Sequence, residues 1–260
     1  MRVHVVSDVH GAAEALARAA DGAEALFVLG DLLEAVDYTD PSRGIMGRLY
    51  GAEATARWIE ARTAGRFREA RDLGRAMLAR AAAERGREPQ EVLLEAIRDD
   101  YREIFAAMPS PAYCTYGNVD APTLWPEFLG DGVRALDGEV AEVGGLRVGF
   151  VGGGLSDTPS RYPYLVTEET FAAKVAALGP VDILCSHIPP AVPELCYDTV
   201  ARRFERGSTA LLDAISEHRP RFVLFGHVHQ PLQGRIRIGR TECVNVGHFR
   251  ETRTPYVLSL

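Results

Sequence analysis

Hydrophobic positions in this chain fall into short runs, each too brief for a helix and each closed by a polar cluster. Val3–Val6, Ala25–Leu29, Ala112–Tyr116, Asp182–Cys185 and Arg221–Phe225 read as strands on that basis. Glu139–Val143 and Leu146–Val151 are joined by Gly144-Gly145, and Gln233–Ile238 and Thr241–Val246 by Gly239-Arg240, both hairpin signals. A short strand is expected at Tyr256–Leu258. Gly11–Ala20, Phe171–Leu178 and Ser208–Glu217 read as helices, the last with Ser208 as N-cap. The opening β-α-β pattern implies parallel pairing with a right-handed crossover. Together these elements predict an α/β chain with two packed mixed sheets covered by helices.

The pattern changes from about Tyr38 to Met108. Ala, Arg and Glu dominate there, and β-branched runs disappear. Arg57–Arg62, Phe67–Glu84 and Gln90–Ala107 read as helices, broken near Gly65 and Gly86–Pro89. The expected organisation is one domain over residues 1–260 with a helical insertion at about 38–108. The Arg and Glu side chains are expected mostly on solvated helix faces. The insertion interrupts the core just after Asp31, so its ends are expected beside that residue, where it would shield a site and select a substrate.

Composition narrows the classes. A formal charge of −7 argues against a broad nucleic-acid-binding face, which needs a basic stripe. Cys114, Cys185, Cys196 and Cys243 form no CxxC pair, and buried free thiols are expected. The chain enters its first strand without an apolar leader, and no apolar run is long enough to span a bilayer. A cytoplasmic location without a membrane partner is the expectation.

The chemistry lies in the clusters that close the strands. These are Asp8-Val9-His10, Gly30-Asp31, Gly117-Asn118-Val119-Asp120, Ser186-His187 and Gly226-His227-Val228-His229. Each first polar residue follows Gly or Ser, which lets the backbone pass close to a shared centre. Setting Asp120 aside, two Asp, one Asn and four His remain, a donor set suited to two divalent metals. Side chains at i and i+2 of a strand share a face, so Asp8 and His10 can meet one ion if strand geometry persists past the strand end. The same holds for His227 and His229.

In order and spacing, these five blocks resemble the calcineurin-like metallophosphoesterase family, over residues 8 to 229. The resemblance implies a four-layer sandwich, two mixed sheets flanked by helices. It assigns Asp8, His10, Asp31 and His229 to one metal, and Asp31, Asn118, His187 and His227 to the other, with Asp31 bridging. It gives Asp31, Asn118, Asp120 and His187 catalytic parts, Asp120 through a hydrogen bond that orients a ligand. The imidazole-rich set favours Mn, Fe, Co or Zn, with Mn first. Two dications against two carboxylates leave about two positive charges, which suits a small phosphate-ester anion.

The sequence also departs from the family pattern. Many members carry His between the Asn and the acidic residue, where it can protonate the leaving group. Here that position is Val119, which has no proton to give. Some bacterial and archaeal members also lack this His and act mainly on activated or cyclic diesters, so the expected activity is phosphodiester hydrolysis, with cyclic nucleotides among the candidates. The alternatives are a phosphomonoesterase or a non-catalytic scaffold on the same fold. Leu32-Leu33-Glu34 replaces the Asp-Arg-Gly of protein Ser/Thr phosphatases, and the Tyr ligand of purple acid phosphatases is missing. Gly152-Gly153-Gly154, before Ser156, Asp157 and Arg161, is either a flexible substrate loop or a plain tight turn. His248 follows an Asn-x-Gly turn resembling the family's and either faces the phosphate or is a partly exposed turn residue. His4 and His218 are expected to be structural.

Overall fold

The strand runs pair into two large mixed sheets flanked by helices, in a computed structural model that describes residues 1–160 and 164–260. The first sheet runs Tyr256–Ser259, Arg2–Val6, Ala25–Leu29, Ala112–Thr115, Val133–Ala135. Its inner pairs are parallel, and Tyr256–Ser259 adds an antiparallel edge. The second runs Arg235–Ile238, Thr241–Asn245, Phe222–Phe225, Ile183–Ser186, Leu146–Val151, Glu139–Val143. It is parallel at its centre, with an antiparallel hairpin at each edge. Gly144 and Gly145 both take positive φ, as a tight hairpin turn requires.

Alternation sorts the apolar side chains. Ala25, Phe27 and Leu29 of the first sheet meet Phe150, Ile183, Cys185 and Leu224 of the second in one core. Phe27 and Phe150 pack edge to face, 5.3 Å between centroids. The opposite face of the second sheet offers Leu184, Val223 and Phe225 to Phe171, Val175, Leu211 and Ile215 of helices Glu168–Leu178 and Thr209–His218. Strands buried on both faces need continuous apolar runs rather than alternation, which explains sequences such as Phe222–Phe225. All four cysteines are free and buried. Among the described residues no helix is long and apolar enough to cross a membrane.

Two local expectations need correction. Helix Ala13–Leu16 is much shorter than the expected Gly11–Ala20. The Gly11 N–H is drawn to Leu32 O, and the chain beyond Leu16 tightens into i→i−3 bonds from Arg18 and Ala19. The carbonyl of Ala19 accepts from His4 Nδ1 at 2.8 Å, which gives His4 its structural role. Ser208 occupies the N-cap position of Thr209–His218, but its side chain does not cap. Instead Glu168 Oε1 accepts from Ala210 N (2.9 Å), Ser208 Oγ (2.7 Å) and Thr209 Oγ1 (3.0 Å). A carboxylate from the neighbouring helix does the capping and adds favourable charge at that helix start.

Residues Leu33–Glu103 form a compact helical unit of their own. It contains Gly44–Tyr50, Ala52–Thr63, Phe67–Arg85 and most of Pro89–Ala106. Gly86, left-handed at φ 61°, closes Phe67–Arg85. Arg66 bridges Glu60 and Glu69, and Arg80 pairs with Glu84 along the solvated faces. Arg48 is paired with Asp100. Gly44–Tyr50 was not legible in the sequence, because its two glycines depress helix propensity.

Candidate metal centre

The five clusters meet at one end of the paired sheets, and backbone hydrogen bonds tie them together. Asp8 N donates to Gly30 O (3.0 Å), His10 N to Asp31 O (2.9 Å) and Gly226 N to His187 O (2.9 Å). Close approach makes two glycines necessary. A Cβ on Gly117 would lie 2.0 Å from Asp31 Oδ1, and one on Gly226 2.0 Å from Ser7 Oγ and 2.3 Å from Asp8 Oδ2.

Strand geometry does not persist past the strand ends. Asp8, His10, Asp31 and His227 have φ of 56°, 39°, 51° and 68°. Each sits in the left-handed region, which costs energy for residues with a Cβ and is best tolerated by Asp, Asn and His. The i, i+2 rationale is therefore corrected: sharp turns, not a shared strand face, bring Asp8 to His10. The same turns separate His227 from His229. The His227 ring lies 5.0 Å from the His187 ring, and the His229 ring 5.4 Å from the His10 ring.

Side-chain donors then gather in two groups. Asp8 Oδ1 lies 3.2 Å from His229 Nε2 and 3.9 Å from His10 Nε2. Asp31 Oδ2 lies 3.9 Å from His10 Nε2 and 3.5 Å from His187 Nε2. His187 Nε2 lies 2.9 Å from Asn118 Oδ1. Asp31 therefore stands between the two groups. Ligand atoms of Asp8, His10 and Asp31 all fall within 4.8 Å of one another.

His187 tests whether this set suits a cation. Its Nδ1 faces the carbonyl of Leu29 at 2.8 Å and must donate. In the neutral ring, Nε2 would then aim a lone pair at a carboxylate oxygen and an amide oxygen. The metal-free chain relieves this with a proton. Burial opposes a charged ring, but the Asp31 carboxylate outweighs it and raises His187 to about 9. Burial likewise opposes an ionised Asp31, and His187 and His10 outweigh it and hold the carboxyl at about 2. Asp8 behaves alike: burial resists its charge, yet His229 keeps it well below the usual range. Burial and the neighbouring His187 push His227 down to about 4, leaving a neutral ring. Buried anions facing imidazole nitrogens with few other acceptable partners suit a divalent cation; Asp8, His10 and Asp31, with His229 beside Asp8, would hold one, and Asn118, His187 and His227 would join Asp31 in holding a second.

Other side chains brace this set. Asp120, fully buried, accepts from Leu32 N (2.9 Å) with Oδ1 and from Gly117 N (2.8 Å) with Oδ2. These bonds are to the backbone beside Asp31 and Asn118, so Asp120 braces the loops that carry both residues. Burial and the Asp31 charge lift its pKa to about 6. Val119 contributes only its N–H, to Asp31 Oδ1 at 3.0 Å. Asn245, not singled out as a brace from the sequence, donates through Nδ2 to Gly226 O (3.2 Å) and Val228 O (2.9 Å), fixing the loop that carries His227. Its Asn-x-Gly turn was the signal.

The glycine run is neither a free loop nor a simple turn. Gly153 N donates to Tyr116 O at 2.8 Å, and Gly154–Leu155 pairs with Leu165–Val166, so the run lies against the strand end that carries Asn118. Arg161 lies outside the described residues. His248 stacks on His229 at 3.8 Å and 15° and stands edge-on to His10 at 5.6 Å, within the site rather than at a remote turn. Burial and His229 push its pKa down to about 3.

Two mixed sheets with carboxylates and imidazoles converging at their strand ends define a calcineurin-like sandwich with a candidate metal centre. The chain belongs to the calcineurin-like phosphoesterase family, whose model matches residues 1–231. The chain is also similar to solved structures. One crystal structure matches with a TM-score of 0.58 at 19% identity, covering 96% of this chain and 91% of its own. TT1561 of Thermus thermophilus matches with a TM-score of 0.52 at 16% identity, over 99% and 98% of the two chains. At those identities the likeness is one of fold. Comparison with curated proteins finds no match.

Proposed function

We propose that the protein is a two-metal phosphodiesterase for small phosphate diesters, cyclic nucleotides among them. The observation that carries this choice is Val119. It is half-buried between Asn118 and Asp120, its N–H is committed to Asp31, and its side chain has no proton to give. A leaving group that departs without a proton suits such a site, and activated or cyclic diesters meet that condition.

Divalent ions held by the two donor groups, with Mn favoured, would activate water and neutralise developing charge on the phosphoryl group. The chain's residues prepare the site. Asp31 faces both groups through Oδ2 while Val119 N–H holds Oδ1. Asp8, Asp31 and His187 are buried and shielded from water, whereas the His229 side chain is 38% exposed. An ester therefore enters from the His10–His229 side. Leu29 O fixes the His187 tautomer so that Nε2 stays turned inward.

The test compares bis-p-nitrophenyl phosphate, p-nitrophenyl phosphate and cyclic nucleotides with the Mn-loaded protein. A higher kcat/KM for the diesters is expected. Faster monoester turnover would make it a phosphomonoesterase. Two bound metals with no turnover of any ester would make it a scaffold.

A further inference from the structure

His248 is not among the residues assigned above, yet the fold fixes it against His10 and His229. Backbone bonds from Phe249 N to Ser7 O (3.0 Å) and from Arg250 N to Asp8 O (3.1 Å) tie the chain after it to the strand end that carries Asp8. Before it, Gly247 N donates to Asn245 Oδ1 at 2.9 Å. The His248 Nε2 atom is buried and has no hydrogen-bond partner. An imidazole nitrogen left in that state costs free energy unless something in use completes it.

We propose that His248 is a substrate contact whose Nε2–H donates to a phosphoryl oxygen of the ester, on the His10–His229 side of the centre. This rests on the phosphoesterase function proposed above. A ring nitrogen of His248 lies within 4.8 Å of the ligand nitrogens of both His10 and His229. A phosphoryl oxygen brought up to these nitrogens would take a hydrogen bond of about 2.8 Å from the His248 side. Direct metal ligation fits less well. The His248 and His229 rings are stacked 3.8 Å apart and only 15° from parallel. Lone pairs lie in the ring planes, so the two rings direct theirs side by side rather than onto one ion.

The experiment titrates inorganic phosphate into Mn-loaded wild type, His248→Ala and His248→Gln by calorimetry, with metal content and thermal unfolding measured on each. Loss of a hydrogen bond to a charged oxygen predicts phosphate binding weaker by roughly tenfold to a hundredfold in the Ala variant. Both metals should stay bound. The Gln variant, which keeps an N–H donor and most of the volume, should recover part of the loss, and kcat/KM for the diester should follow the phosphate affinity. Unchanged phosphate affinity in both folded variants overturns the proposal, as does loss of a metal ion, which would make His248 a ligand. Wild-type protein that holds two metals but neither binds phosphate nor turns over an ester overturns the phosphoesterase function itself, an outcome read before any variant is made.

Discussion

Asp31 shows how much one side chain decides. Its Oδ2 faces His10 and His187, members of different groups, so Asp31→Ala would take a carboxylate away from both. Metal content should fall at both sites and turnover by more than about a hundredfold, with the fold retained by circular dichroism. Two metals and near-normal turnover in that variant would remove Asp31 from its bridging place. His187→Ala should be asymmetric, weakening the Asn118 site and sparing the Asp8 site in a metal titration. Val119→His adds a proton donor where the chain has none. Esters with basic leaving groups should then gain about tenfold, equivalent to about 1.4 kcal/mol of barrier, and p-nitrophenyl esters little. Plots of log rate against leaving-group pKa should be flatter for the variant. Equal slopes, with the new ring seen at the metals, would mean that a proton already reaches the leaving group by another route.

At the scale of elements, two polar clusters outside the metal set hold strands and helices together. Glu168 caps a helix other than its own, and Glu168→Ala leaves three donors without it. A loss of about 1–2 kcal/mol in denaturant unfolding is expected, with metal binding unchanged. Lys174 Nζ meets Asp137 Oδ2 and Tyr116 OH, each at 2.8 Å, while Asp137 Oδ1 accepts from Gly152 N at 3.0 Å. This cluster clamps the glycine run to the strand end that leads into Asn118. Lys174→Met should therefore weaken the Asn118 site by about tenfold and leave the Asp8 site unchanged. If only the melting temperature fell, with both metal affinities intact, the clamp would serve the fold alone.

For the whole molecule, site electrostatics set a pH profile that depends on metal. In the metal-free protein Asp31 drops from 3.8 to about 2, so its contribution is present above pH 4 and lost as pH falls through about 2. His187 rises from 6.5 to about 9, so its contribution is complete below pH 6.5 and lost as pH rises through about 9. His227 and His248, held neutral down to about 4 and about 3, cost stability as pH falls below 6.5, so metal-free protein should be most stable near pH 6.5 and should lose stability toward pH 9.5. Metal needs a deprotonated His187, so its stabilisation grows over the range where the proton's fades. At a hundredfold excess over Kd each ion adds about 2.7 kcal/mol. Thermal unfolding from pH 5 to 9.5, with and without chelator, should give diverging curves. Parallel curves would mean that metal does not take the place of the His187 proton.

The sequence by itself determined the strands, the parallel start, both hairpins and the sandwich class, because each has a local signature. Apolar period marks a strand, paired glycines or Gly-Arg mark a turn, and a polar residue closing an apolar run marks a strand end. The order of the five clusters carried the family resemblance. Only the tertiary structure decided which of these polar side chains lie beside one another. The left-handed turns at Asp8, His10, Asp31 and His227 arise from bonds between loops far apart in the chain, such as His227 N to Asp8 Oδ2 across 219 positions. Short-range rules, which assumed continued strand geometry, could not anticipate them. The same applies to the Glu168 cap, the backbone-bracing part of Asp120 and the inward place of His248. Each depends on which distant backbone groups need a partner, and only packing two sheets against each other settles that.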